Sequence, residues 1–366
     1  MPKIEMKGVT KRFGKVTAAE DVNLTLHDGE YLTILGPSGC GKTTLVKILS
    51  GIWEPTEGDV LIDGKSVLGV PTFERDLGYI FQNIALFPHM TVWQNAHYAP
   101  IAKDWDKEEG ERLTEETLRL VRLMDRKDYL PGELSGGEQQ KVGIARALCS
   151  GSKLLILDEP LSALDARVRL DLRYEIKRLV KRKGLTAIHV THDQEEAMSI
   201  SDRIVLMRAG RLVEVDTPEN LYNRPKNLFT ANFIGEASFI EGAVIRDGEH
   251  CVVEARHKKH IRIENPDGCF KVGDGVVIAA RPENLYLSKE KKDNSLEGCI
   301  EDKIFMGSFV RYRIMLSTDD LVLVELPEAI DKSFNMGEQV NVIFLPRKLL
   351  VYPRPEEGLQ EVLSLE

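Results

Sequence analysis

Apolar positions change period along this chain. Val22, Leu24 and Leu26 alternate with polar neighbours, the two-residue period of a strand covered on one face. Asp28-Gly29 is a turn signal, and residues 3–35 read as an antiparallel β-region that ends in the apolar run Tyr31–Leu35. Over 44–50 the spacing becomes helical, with Leu45, Ile48 and Leu49 on one face and Gly51 as a stop. Short strands follow at 58–64 and 78–81, the second running into Gln82. Residues 104–116 are polar and read as a solvated helix face, while 112–124 and 138–148 carry apolar residues at helical spacing. Residues 154–157 and 186–190 are apolar without alternation, which fits parallel strands buried on both faces. A charged helix at 165–183 separates them. Residues 205–215 read as a hairpin about Ala209-Gly210, and Thr217-Pro218 opens another helix.

Near residue 235 the helical signals almost stop. Strand-like runs at 239–245, 250–255, 260–264, 276–280, 297–305, 309–316, 321–326 and 340–344 are separated by turns such as Asp247-Gly248, Pro266-Asp267-Gly268 and Gly273-Asp274-Gly275. The pattern predicts an α/β domain over 1–235 and a small all-β barrel or sandwich over 236–366.

A length of 366 residues agrees with more than one domain. The net charge of −9 argues against a general nucleic-acid binder. The longest apolar runs are strand-length, and Met1-Pro2-Lys3-Ile4-Glu5 has no signal-peptide character, so work at a membrane implies docking from the cytoplasm. The five cysteines form no C-x-x-C pair, which suits a reducing compartment. His257 and His260 are a candidate metal pair with no third ligand in view. The basic clusters at 256–259 and 289–292 read as turn decoration.

The chemistry concentrates after the strand Tyr31–Leu35. Gly36-Pro37-Ser38-Gly39-Cys40-Gly41-Lys42-Thr43 fits G-x-x-x-x-G-K-[ST], and Thr44 begins the helical run. Glycines let backbone N–H groups wrap an anion, the helix start adds its positive dipole end, Lys42 brings a charge and Thr43 a hydroxyl for Mg²⁺. Cys40 reads as a small residue in a crowded loop. Ser135-Gly136-Gly137 before an amphipathic run is a second anion-binding helix start, with Ser135 as N-cap and the first amides uncovered. Asp158-Glu159-Pro160 places two carboxylates at the C-terminal edge of a buried strand, where α/β sheets place ligands. Thr191-His192-Asp193 ends the next one.

In order, the phosphate loop, Gln82, Leu134-Ser135-Gly136-Gly137-Glu138, the strand ending in Asp158 and Glu159, and His192 closely resemble the ATP-binding subunit of ABC transporters over residues 4–235. The resemblance implies a P-loop NTPase fold with a helical subdomain at about 88–150, and ATP and Mg²⁺ as ligands. It makes Asp158 similar to the Walker B aspartate that holds Mg²⁺, together with Thr43 and Gln82. Glu159 looks like the general base, His192 like the switch histidine and Gln82 like the Q-loop glutamine. Phe13, with Ala18 nearby, occupies the place of an adenine-stacking aromatic. Ser162-Ala163-Leu164-Asp165 matches the D-loop. Lys141 stands where many relatives have arginine, with charge kept.

Phosphoryl transfer to water needs positioning and charge neutralisation, and no arginine finger is evident. In the family, the Ser135-Gly136-Gly137 start closes over a nucleotide bound to the other subunit, so the resemblance implies a head-to-tail dimer with two ATP molecules between its copies. The tail, through Arg281-Pro282-Glu283 and Gly307-Ser308, resembles the TOBE regulatory domain of importer ATPases. Together these imply an ATPase on the cytoplasmic face of the membrane, partnered by permease subunits and an extracytoplasmic solute-binding protein. The junction Phe233-Ile234-Gly235-Glu236 and the stretch 307–312 look most like polyamine or iron importer subunits. The segment 81–90 is expected in the groove that receives a membrane-domain helix. The alternative is a soluble ATPase of the same superfamily, disfavoured by the single phosphate loop and the lack of a heptad run.

Overall fold

The structure, a computed structural model, describes residues 3–82, 85–162, 164–265, 268–328 and 334–364. It divides into two compact units between Asn220 and Leu221.

The first unit is built on a six-stranded sheet. Its spatial order is Arg211–Asp216, Arg203–Arg208, Tyr31–Leu35, Thr186–Thr191, Leu154–Asp158 and Leu77–Ile80. All neighbours are parallel except the hairpin pair Arg203–Arg208 and Arg211–Asp216. Every residue of Tyr31–Leu35, Leu154–Asp158 and Thr186–Thr191 is buried, as continuous apolar runs require.

One expectation is corrected here. Residues 3–35 do not form a single antiparallel region. Ile4–Phe13 and Val16–Leu26 pair antiparallel in a separate four-stranded sheet with Glu57–Ile62 and Lys65–Ser66. Tyr31–Leu35 leaves that sheet and lies between Thr186–Thr191 and Arg203–Arg208. The reason is burial. The alternating strand needs cover on one face only, whereas Tyr31–Leu35 needs it on both.

The helix Lys42–Leu49 buries Leu45, Val46, Ile48 and Leu49 in one apolar cluster with residues of both sheets. On the opposite side, the helices Val92–Ala96, Lys107–Leu120, Gly136–Leu148 and Ala166–Arg182 contribute to a second cluster. The polar stretch expected to be a solvated face has a buried stripe of its own. Gly110, Thr114 and Thr117 are buried, and Thr114 Oγ1 donates to Gly110 O at 2.8 Å. A Cβ on Gly110 would lie 3.0 Å from that of Pro100. Small residues allow this close approach, and a hydrophobicity pattern does not register it.

The second unit consists of two five-stranded antiparallel sheets. Ile240, Val253, Ile261 and Ile278 of one sheet share a core with Ile300, Tyr312, Val324 and Phe344 of the other. The strands Leu285–Ser288 and Leu350–Pro353 and the helix Leu359–Leu363 add to the predicted elements. The unit begins earlier than the expected boundary at 235/236. Leu228 and Ala231 pack with Val277, Ala279 and Tyr352. Arg281 donates from Nη1 to Ala231 O and Glu236 O at 2.9 and 3.1 Å, and from Nη2 to Tyr222 O at 3.2 Å. The pairing of one guanidinium with three carbonyls fixes residues 222–236 to the β-unit. No helix among the described residues is long and apolar enough to cross a membrane.

Candidate functional site

The strand Tyr31–Leu35 delivers the chain into the glycine loop, and Lys42–Leu49 takes it away. Gly39 and Gly41 have φ of 78° and 104°, the left-handed region that glycine tolerates. Steric fit is stricter still at two places. A Cβ on Gly41 would lie 2.1 Å from Ala18 O, and one on Gly36 would lie 2.3 Å from Met207 O. The loop is wedged against the backbone on both sides, and Gly210 N donates to Cys40 O at 3.0 Å. Cys40 is buried in that wedge. The helix that follows has no side-chain N-cap and no acidic residue in its first turn, so its positive end is uncompensated. Lys42 Nζ donates to the carbonyls of Gly36 and Pro37, each at 2.8 Å.

Three further strands end beside this loop. Asp158, the last residue of Leu154–Asp158, accepts from Thr43 Oγ1 at 3.2 Å through one oxygen and from Tyr79 OH at 3.2 Å through the other. Burial raises the Asp158 carboxyl above its usual value, against the pull of those two bonds. Hydroxyl and carboxylate side by side form the hard, oxygen-only donor set that Mg²⁺ prefers. Tyr79, on the strand Leu77–Ile80, is a member of the site that sequence reasoning missed. Its side chain faces Asp158 only because its strand pairs with Leu154–Asp158.

Glu159 turns out of the sheet at φ 48°, a conformation uncommon outside glycine. It is pinned on several sides. Its N–H donates to Val190 O at 3.0 Å, and its carbonyl accepts from Ser162 Oγ at 3.1 Å and Gln140 Nε2 at 3.4 Å. Its carboxylate is shared as well. Oε2 accepts from Gln82 Nε2 at 3.0 Å, and Oε1 lies 3.3 Å from His192 Nδ1. His192 itself is 58% exposed. One groove runs from Ala18 and Ser38 past Lys42 and Thr43 to Gln82 and Glu159, with Gly39, Gly41 and Thr44 also in its wall. The structure thus brings together the phosphate loop, the strand-end carboxylates, the glutamine and the histidine.

Two predicted members lie apart from that groove. Phe13 ends the strand Ile4–Phe13, is 43% exposed, and stands edge-on to Trp53 at 4.9 Å between ring centres. Ser135 caps the helix Gly136–Leu148 in a reciprocal box with Glu138. Its N–H and hydroxyl donate to Glu138 Oε2 at 2.9 and 2.8 Å. These bonds, from the backbone first and then the hydroxyl, hold the Glu138 carboxyl below its ordinary value. Ser135 Oγ accepts from Glu138 N at 3.4 Å, the amide that follows those of Gly136 and Gly137. The face above Gly136 is open, with nothing within 4 Å of where a Cβ would be.

Asp165 N-caps Ala166–Arg182 by accepting from Val168 N at 3.0 Å, while Ala163 of the expected D-loop lies outside the described residues. Within 81–90, Asn83 and Ile84 lie outside them too. The remainder of that segment is anchored by the buried Asn95, which accepts from Phe87 N at 2.9 Å and donates to Phe87 O and Met90 O at 3.1 and 2.9 Å. The metal reading of His257 and His260 is not supported. His257 Nε2 pairs with Asp319 at 2.6 Å, His260 Nε2 lies 3.4 Å from Glu254, and no group of three His, Cys, Asp or Glu suited to a metal occurs among the described residues.

Comparison with known proteins bears on this geometry. Residues 19–162 match the family described as ABC transporter, and residues 278–351 match the TOBE domain. The chain is 40% identical over 353 residues to the spermidine/putrescine import ATP-binding protein PotA of Rubrobacter xylanophilus, covering 95% of this chain and 93% of that one. It is 41% identical over 319 residues to the protein of the same name from Thermotoga maritima, covering 86% of each. A bacterial ABC transporter cassette solved as a dimer, MJ0796, superposes with a TM-score of 0.54 at 31% identity, covering 59% of this chain and 98% of that one.

Proposed function

The chain belongs to the ABC transporter family of import ATP-binding proteins, and from that premise we propose that it hydrolyses ATP as the motor subunit of a polyamine importer. The observation that carries the hydrolytic part is the convergence of Gln82 and His192 on the carboxylate of Glu159, beside the phosphate loop.

The roles follow from the geometry. The loop amides and the helix start bind the phosphates, and Lys42 exchanges the carbonyls of Gly36 and Pro37 for phosphate oxygens. Thr43 and Asp158 would hold Mg²⁺, which would neutralise phosphate charge. Glu159 orients and polarises the attacking water, and Gln82 and His192 keep its carboxylate aimed. Ala18 lines the groove end, and Phe13 supplies an aromatic face for the base. The helix start Ser135, Gly136 and Gly137, open above Gly136, covers the nucleotide held by a second copy. This agrees with the dimeric state of the related bacterial cassette.

The first unit, ending at Asn220, is the ATPase domain, and the β-unit that follows is regulatory in the manner of TOBE domains. The protein works on the cytoplasmic face of the membrane with permease subunits and an extracytoplasmic solute-binding protein. Polyamine is preferred over iron because the full-length relatives named above are spermidine/putrescine import proteins. The same names give no support to a soluble ATPase uncoupled from transport.

The test is reconstitution. The chain is co-purified with its membrane partners from native cells and placed in vesicles with radiolabelled spermidine and ATP. Uptake that needs ATP and fails with Glu159→Gln is the expected result. Recovery of soluble partners alone would overturn the importer reading. Robust ATPase with no spermidine uptake would overturn the cargo.

A further inference from the structure

A buried polar chain lies next to His192 and plays no part in the roles above. Tyr31, His189 and Glu196 are 0, 1 and 4% exposed. Tyr31 OH is 2.9 Å from His189 Nδ1, and His189 Nε2 is 3.3 Å from Glu196 Oε1. Among the described residues neither Nε2 nor Oε1 has a hydrogen-bond partner elsewhere, so this contact compensates for their burial. A proton on His189 Nε2 faces the Glu196 carboxylate, and Nδ1 and the Tyr31 hydroxyl share the second hydrogen bond.

The chain then runs into the loop that carries His192. Glu196 Oε2 accepts from Thr191 Oγ1 at 2.7 Å, and that same hydroxyl oxygen accepts from Asp193 N at 3.0 Å. Asp193 in turn caps the helix Gln194–Ile200 by accepting from Glu196 N at 3.0 Å. Its carboxylate lies 3.6 Å from Arg169 and 3.8 Å from Arg173. Thr191 and Asp193 are therefore both fixed to Glu196, and His192 stands between them with its ring exposed. Burial pushes the Glu196 carboxyl up. The charge and hydrogen bond of His189, the Thr191 hydroxyl and Arg173 outweigh it and hold the group at about 2.

We propose that Tyr31, His189 and Glu196 form a positioning brace that fixes the Thr191-His192-Asp193 loop so that His192 meets Glu159. Its members act through the loop, to which Glu196 is bonded at Thr191 and Asp193. The inference rests on the role given to His192 above. A displacement of about 1 Å at a reacting centre costs roughly a hundredfold in rate, so loosening the brace lowers turnover while leaving binding by the phosphate loop intact.

The experiment uses the full chain, four single variants and one double variant. Glu196→Gln removes the charge, His189→Phe keeps a ring but loses both contacts, Tyr31→Phe loses one hydroxyl, and His192→Ala removes the residue being positioned. Steady-state ATPase is measured well below each unfolding midpoint, with Tyr31→Phe as the mild case should the others fold poorly. The brace predicts kcat reduced roughly 10- to 100-fold in Glu196→Gln and His189→Phe, and less in Tyr31→Phe, with KM for ATP within about twofold. It also predicts that Glu196→Gln causes no further loss in the His192→Ala background. Wild-type kcat in the three brace variants, with His192→Ala impaired, would overturn the brace and leave the role of His192 standing. A Glu196→Gln loss that persists undiminished in the His192→Ala background would overturn it too. Full activity of His192→Ala would overturn the underlying role instead.

Discussion

Glu159 Oε2 accepts a hydrogen bond from Gln82 Nε2 at 3.0 Å, joining two residues 77 positions apart. The bond spans from the end of one parallel strand to the end of its neighbour, because Leu77–Ile80 and Leu154–Asp158 are paired. It leaves Oε1 of the same carboxylate facing His192. Glu159→Gln keeps the shape and removes the base. The expected outcome is kcat lower by roughly 10²–10⁴-fold with ATP still bound, measured by phosphate release and nucleotide titration. The variant should also accumulate as a dimer in ATP on a sizing column. A strictly monomeric variant at saturating ATP would rule out the nucleotide sandwich.

Tyr79 donates to the Asp158 oxygen that Thr43 leaves free. Outer partners of a ligating carboxylate orient it, and losing one typically costs 10–100-fold in metal affinity. Tyr79→Phe is expected to raise the Mg²⁺ concentration for half-maximal ATPase by roughly tenfold, with maximal rate little changed. Asp158→Asn should abolish the Mg²⁺ response. A magnesium titration of both variants checks the ordering, and an unchanged Tyr79→Phe curve would remove Tyr79 from the site.

The loop glycines separate into two kinds. At Gly41 an alanine meets both left-handed backbone and Ala18 O at 2.1 Å, whereas at Gly39 nothing lies within 4 Å of the added atom. Gly39→Ala should cost about 1–2 kcal/mol, the strain of the left-handed conformation alone. Gly41→Ala should cost about 3–5 kcal/mol, since overpacking is added to that strain. Urea unfolding curves of the nucleotide-free chain decide between them. Equal midpoints would mean that the wedge against Ala18 relaxes freely.

The cysteines should react in an order set by burial. Cys269 is exposed, Cys299 intermediate, and Cys40, Cys149 and Cys251 buried. Burial pushes the Cys149 thiol up to about 11, so the packed state presents little thiolate at pH 8. Iodoacetamide with peptide mapping should modify Cys269 first and Cys149 only under denaturing conditions. Early alkylation of Cys149 would contradict the packing around the helix Gly136–Leu148.

Phe13 gives the sharpest test of base recognition. Its ring is exposed and steadied by Trp53, with Lys11 Nζ 5.1 Å from its centre. Phe13→Ala should weaken ATP by roughly 1–3 kcal/mol, the worth of stacking a base on an aromatic ring, while inorganic triphosphate binds as before. Equal affinity of ATP for both proteins would end the stacking role.

Local and ordered features are what the sequence by itself determined. The glycine spacing around 36–41, the apolar runs 31–35, 154–157 and 186–190, and the helix starts at Ser135 and Asp165 each depend on a few neighbouring residues. Backbone preference and burial period act over that range, so the α/β class, the phosphate loop, the order of the site residues and most strands of the β-unit were legible. Leu285–Ser288 and Leu350–Pro353 are short runs closed by a serine and a proline, and lack the unbroken apolar character that made 154–157 stand out. The small-residue stripe of Gly110, Thr114 and Thr117 carries none.

Only the tertiary structure decided which residues meet. Tyr79 reaches Asp158, Gln140 reaches Glu159, and Tyr31 reaches His189 because strand order places their elements side by side. It also sent Tyr31–Leu35 into the parallel sheet and gave residues 221–235 to the β-unit, through Arg281 and the packing of Leu228 and Ala231. Hydrogen bonds between distant residues have no period along the chain. They exist only once burial of the apolar faces has fixed the register of the sheets, and that register is a property of the whole fold.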